Sequence, residues 1–235
     1  MKFRIASRRR VCGVLVAGAV VSAVAGCGVG FHPGAAAVVD GTTITEGHVD
    51  NLVLAACEFT RLDRIAQGGN SPSTSVAALR SAIANSLIQF ELDGRAASAL
   101  GLTVHQAAMS QLASSINLPG GLDSSAAQLL RQYFTASARA QLQEAAIGAH
   151  LKNPKVTSAD QATPAEEQAS RGYLDNYARR QNVAVNPSYG KWNGTQIVRA
   201  SGSLSDPVSS AALAWKQAAA ADTPPPGTPA SELCG

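Results

Sequence analysis

Cysteine, histidine and paired carboxylates are where this chain could do chemistry, and they do not all point the same way. The four histidines, His32, His48, His105 and His150, show no H-x-x-x-H or similar spacing that would set two imidazoles on one metal ion. His48 and His105 fall in the first turns of expected helices, where solvated polar residues are common. Glu166 and Glu167 are adjacent, so on a helix they point in different directions, and the helix-start dipole accounts for them without acid–base work. No G-x-S-x-G elbow, Walker A loop or Rossmann glycine pattern occurs. These residues point to no metal, no cofactor and no catalytic centre. The four cysteines, Cys12, Cys27, Cys57 and Cys234, carry the informative chemistry, because a thiol forms thioethers and disulfides. Tyr189 and Trp192 flank Gly190 and allow two readings. They line a peptide-binding surface, or they anchor a sheet to helices; in a chain with 5% aromatics, packing has the first claim on them.

The segment ahead of Cys27 decides that residue's chemistry. Lys2, Arg4, Arg8, Arg9 and Arg10 make a positive start with no acidic residue, and Val11 to Val24 is apolar. That run is short against the ~20 residues a permanent spanning helix needs. Ser7-Arg8-Arg9 reads as part of a generic basic region. Val24-Ala25-Gly26-Cys27 resembles the lipobox of bacterial lipoproteins. The resemblance implies removal of residues 1–26 and a diacylglycerol thioether on Cys27, often with a further N-acyl chain. Each buried CH₂ contributes about 0.8 kcal/mol, so two or more chains hold a protein on a bilayer where one does not. The expected address is the extracytoplasmic face of the cell membrane, with membrane lipid as the first partner. The alternative is an ordinary secreted protein cut after Ala25 or Gly26.

Removing the leader changes the charge balance. The chain has 19 basic and 16 acidic residues, and five of the basic ones lie in the leader. The remainder is slightly acidic, which gives no support for nucleic-acid binding. It is alanine-rich, which favours helices packed closely through small side chains. Cys12 leaves with the leader and Cys27 is committed to lipid, so Cys57 and Cys234 remain as an even pair in an oxidising compartment. A disulfide between them would constrain the unfolded chain and staple the tail to the first helix; the alternative is two free thiols.

The elements that must position these residues follow in order. Residues 27–34 are a tether. Ala35 to Val39 and Thr42 to Ile44 read as strands around an Asp40-Gly41 turn. Thr45 caps a helix over 46–66, with Val49, Leu52, Val53 and Ala56 on one face. A second helix is expected over 74–100, with its stripe at Val76, Leu79, Ile83, Leu87 and Phe90. A third follows a Thr103 cap to about Ile116. A fourth, capped by Asp123 or Ser124, runs to about Leu151. After a linker over 152–163, Pro164 opens a helix to about Gln181. Val183 to Val185 reads as a strand, Thr195 to Arg199 as its partner, Ala211 to Ala221 as a short helix, and 223–235 as a Pro-rich tail. The fold class is mainly α, with four to five helices over 35–222 and a small sheet from the N-terminal hairpin and a C-terminal strand.

Two stretches carry a resemblance. A-V-V-D-G-T-T-I-T-E-G, from Ala37 to Gly47, is similar to the start of the SurA/PrsA class of extracytoplasmic chaperones. V-A-V-N-P-S-Y-G-K-W, from Val183 to Trp192, resembles a segment near the end of actinobacterial lipoproteins with a SurA-like N-terminal domain, and Gly202-Ser203-Leu204-Ser205 agrees with it. Ser188 stands where that segment carries Arg. The resemblance implies a helical cradle joined to a small sheet that binds unfolded or extended polypeptides. The family's parvulin prolyl isomerase domain has no room between Leu151 and Val183. The expected role is therefore a non-enzymatic, membrane-anchored holdase for secreted polypeptides. A structural or adaptor envelope lipoprotein with one specific partner is the alternative.

Overall fold

The computed structural model describes residues 33–69, 74–158 and 164–198, and beyond these only 209–210, 213, 224 and 227–234. All of them belong to the second of the chain's two units, Phe31–Gly235. The leader, Cys27, the Gly202–Ser205 stretch and most of the helix expected over 211–221 lie outside the described residues.

Strands β1 (Ala35–Val39) and β2 (Thr42–Thr45) form the expected hairpin. Val39 pairs with Thr42 across Asp40 and Gly41, whose φ values of 45° and 87° are both positive. A two-residue turn of this hand matches the twist of its strands, and Asp-Gly tolerates it. Asp40 does more than turn the chain. Its backbone N–H donates to the Asn182 carbonyl at 2.9 Å, and its Oδ1 accepts from the Asn182 N–H at 2.8 Å. That double link seats β4 (Val183–Val185) antiparallel on the other side of β1, giving the order β2-β1-β4.

Helix α1 (Glu46–Ala66) starts as expected, with Thr45 Oγ1 accepting from the His48 N–H at 3.2 Å. Helix α2 (Val76–Ala99) starts later than expected, because Ser75 is its cap and Thr74–Ser75 forms strand β3. Helix α3 (Gln106–Ser114) is shorter than its reading. Thr103 does not cap it: its N–H donates to the Thr157 carbonyl at 3.0 Å, and Thr103 bridges to Ser158, inside the segment read as a linker. Helix α4 (Ser124–Lys152) has the Asp123 cap, which accepts from the Ser125 N–H at 2.8 Å. Helix α5 (Pro164–Ala178) ends one turn early, at hydrogen-bonded turns through Gln181. Strand β5 (Lys191–Trp192) pairs with β6 (Ile197–Val198), so the strand near Thr195 partners this one and not β4. Finally β7 (Leu233–Cys234) pairs with β3, so the end of the segment read as a tail is built into the body.

The core follows from this layout. Val49, Leu52 and Val53 of α1 pack with Ala36 of β1 and Ile83 and Ala84 of α2. Ala37 and Val39 of β1 pack on Ile88 and Leu92 of α2 and Ala178 of α5. Where α2, α4 and α5 meet, Ala96, Ala97, Ala146 and Ile147 are almost wholly buried. At Gly148 a β-carbon would lie 1.7 Å from the Glu166 carbonyl oxygen, so glycine is what lets α4 and α5 approach. The architecture is mainly helical with small antiparallel sheets, as the sequence indicated.

Candidate functional site

Between the start of α1, the middle of α2 and the middle of α4 runs a groove. Ile44, Leu87, Phe90 and Ala136 provide apolar surface, and His48, Glu91, Arg139 and Gln143 provide polar surface, around a cavity of about 320 Å³. Ala136 and Arg139 also line a second, wider hollow of about 640 Å³ along α4, with Ser124, Gln128, Arg131 and Thr135. From Ser124 to Gln143 the helix rises roughly 30 Å at 1.5 Å per residue. That length accommodates about nine residues of extended chain at ~3.3 Å each.

Local sequence explains the groove's walls. Along α2, Ile88 and Leu92 are buried against the sheet, whereas Leu87 and Phe90 lie on a different side of the helix and are only half-buried. Phe90 meets Tyr133 of α4 at 5.5 Å between ring centroids. Arg139 is held by α3, its Nε donating to Met109 Sδ at 3.2 Å. The stretch of α4 that lines the wider hollow carries Arg131 and Arg139 and no acidic residue, so this wall is cationic.

The residues singled out from sequence fall elsewhere. Tyr189 is 2% exposed and belongs to the core with Val49, Leu52 and Ile83. Burial, and after it the charge of Asp50, holds its phenol above the ordinary range. Trp192 packs against the cluster of Val39, Ile88 and Leu92. Of the two readings of this pair, the burial of Tyr189 favours packing, while Trp192 is half-buried against the sheet and α2. Three polar residues of α2, four apart, seat them. Ser81 Oγ donates to the Tyr189 carbonyl at 2.8 Å, Asn85 Oδ1 accepts from the Ile197 N–H at 2.8 Å, and Gln89 Nε2 donates to the Thr195 carbonyl. Asn186 joins β4 to the start of α1 through Glu46 Oε1.

Cys57 and Cys234 are brought to bonding distance, with Cα atoms 4.7 Å apart. Cys234 is buried on the edge of α1 by the β3–β7 pairing. Cys27 lies outside the described residues. His48 is exposed on the groove, and His150 Nδ1 bonds the Val156 carbonyl at 2.7 Å. Among the described residues, no group of three or more His, Cys, Asp and Glu gathers as a metal site, and no helix is long and apolar enough to cross a membrane.

Sequence reasoning missed one further feature. Asp93 of α2 is 3% exposed and hydrogen-bonds the carboxyl group of Glu144 on α4. Burial first, then the charge of Glu144 and its hydrogen bond, pushes the Asp93 carboxyl up to about 8 from the ordinary 3.8. The signal was an acid beside Leu92 and four residues before Ala97, inside the apolar side of a long helix. No protein-family model, curated protein or solved structure matches this chain.

Proposed function

We propose that this chain is a lipid-anchored extracytoplasmic lipoprotein that acts as a non-enzymatic holdase. It buries apolar stretches of unfolded secreted polypeptides, reversibly, in the groove between α1, α2 and α4. The observation that carries this reading is the half-buried apolar surface of Ile44, Leu87 and Phe90, set between helices and continuous with a cationic wall. An apolar strip of this kind gains roughly 25 cal/mol per Å² from any apolar segment it covers, with little demand on sequence. Arg131 and Arg139 would add a preference for segments that carry an acidic side chain beside their apolar ones, weakening with salt. Lipid on Cys27 would keep the groove at the membrane surface, where secreted chains emerge.

The test is light scattering of a denatured secreted protein diluted into buffer with the purified domain. The wild type should slow aggregation at near-equimolar ratio. Phe90→Glu, shown by circular dichroism to be folded, should lose most of that effect. A folded wild type without any effect overturns the holdase reading. Cross-linking in intact cells should recover many weakly bound chains; a single stoichiometric partner would make the protein an adaptor. Separately, fatty-acid labelling should disappear in Cys27→Ser.

A further inference from the structure

We propose that Asp93 and Glu144 share one proton and so form a clasp that holds α2 against α4 beside the groove, and that losing this proton loosens the groove. This inference rests on the groove's assignment as the binding site only for its consequence; the clasp itself rests on the burial of Asp93 and the close approach of α2 to α4. Asp93 lies one turn beyond Phe90, and Glu144 follows Gln143, and both of those neighbours line the groove. The helices are close here: a β-carbon at Gly94 would stand 3.7 Å from Gln143 Nε2. Asp93 is buried and Glu144 half-buried, and two adjacent carboxyl groups joined by a hydrogen bond there hold one proton between them, because two charges so poorly solvated cost too much.

The other charged and titratable groups nearby are engaged elsewhere, are exposed, or lie half-buried on α5. On α2, Arg95 Nε meets Glu91 Oε1 at 2.7 Å and its Nη2 reaches Thr42 on the hairpin. On α4, Arg139 is held toward Met109, and His150 toward Val156. Helix α3 carries no charged residue. Helix α5, packed on both, contributes half-buried Tyr173, Tyr177 and Glu166, and exposed Arg171 and Asp175. Burial raises the Tyr177 phenol above its ordinary range, so it stays neutral where Asp93 titrates. Glu144 is the charged group acting on Asp93.

The direction with pH follows. The folded protein keeps a proton on Asp93 that the unfolded chain releases near 3.8, and gives it up only near 8. The clasp's contribution is therefore complete at acid pH and is lost as pH rises through about 8. Between those limits the folding constant falls about tenfold per pH unit from this one group. Above them both carboxylates are charged, and they push α2 from α4.

The experiment compares urea unfolding of wild type and Asp93→Asn from pH 5 to pH 9, with hydrogen exchange of the α2 amides followed in parallel. Asparagine keeps a donor toward Glu144 but cannot titrate. The wild type should lose about a hundredfold in folding constant between pH 5 and pH 7 relative to the variant, and its α2 amides should lose protection above pH 8 while those of the variant do not. Equal pH dependence in the two overturns the clasp. If Asp93→Asn does not fold, Glu144→Gln serves: it removes the neighbouring charge, so the step should move to lower pH, and an unmoved step overturns the clasp. Binding of a fluorescent apolar peptide is measured over the same range. A pH step in stability with no peptide bound leaves the clasp and removes the holdase reading. Peptide binding unchanged across a confirmed step removes the clasp's control of the groove.

Discussion

At the sheet end, β1 is paired on both sides, Asp40 and Asn182 exchange two hydrogen bonds, and Ser81, Asn85 and Gln89 fasten the 189–197 segment from α2. Cys57 and Cys234 add a link between residues 177 apart in sequence. At the other end, α2, α4 and α5 meet through Ala97, Ala146, Gly148 and Ala149, with a single carboxyl pair between α2 and α4. The first region is held by backbone, hydroxyl and amide hydrogen bonds, by the Asp40 carboxylate and by the disulfide. The second is held by close approach of small side chains plus one proton. The groove has a wall from each, Ile44 from the hairpin and Ala136 and Gln143 from α4. The contrast teaches that stability and adaptability are divided across the molecule: one wall is fixed, and the other depends on a contact that conditions can change.

The comparison can be broken in several places, the largest effect first. Cys234→Ser should cost about 4–5 kcal/mol of stability through the regained freedom of a long loop, measured by urea unfolding against the oxidised protein. Free thiols in peptide maps of the native protein would remove the staple. Gly148→Ala comes next. Alanine gains at most about 1 kcal/mol in helix propensity, but its methyl meets the Glu166 backbone, so the net loss should be about 2–3 kcal/mol. A thermal melt no lower than the wild type would mean α4 and α5 do not approach as described. Asn85→Ala leaves the Ile197 N–H without its acceptor and should cost about 2 kcal/mol. It should leave the dependence of stability on pH unchanged, the converse of Asp93→Asn, and a changed slope would blur the division between the two regions. The smallest effect is Asp123→Ala, which removes the α4 cap and should be read as fraying of residues 124–127 in hydrogen exchange with the sheet unaffected.

Phe90 shows where sequence patterning reached its limit. It shares the helical period with Ile83 and Leu87, which pack in one core cluster, but it meets Tyr133 of α4 beside the groove. A helix lying between a sheet and another helix has more than one apolar side, and periodicity alone does not say which side meets which neighbour. Tyr189 and Trp192 allowed two readings for a related reason, since an aromatic beside a glycine turn looks the same whether it faces the core or a ligand. Asp93 was passed over because a lone acid on a helix usually faces water, and only the arrival of Glu144 from a helix fifty residues later makes it a buried pair.

Local chemistry determined the caps at Thr45 and Asp123, the Asp40-Gly41 turn with its hairpin, and the helical character of an alanine-rich chain. These depend on residues within a turn or two of one another. Tertiary structure alone decided that Leu233–Cys234 pairs with Thr74–Ser75, that Gly148 admits α5, and that Asp93 meets Glu144 beside the groove. Each of those joins residues distant in sequence, and their encounter is set by how whole helices pack, which no local pattern encodes.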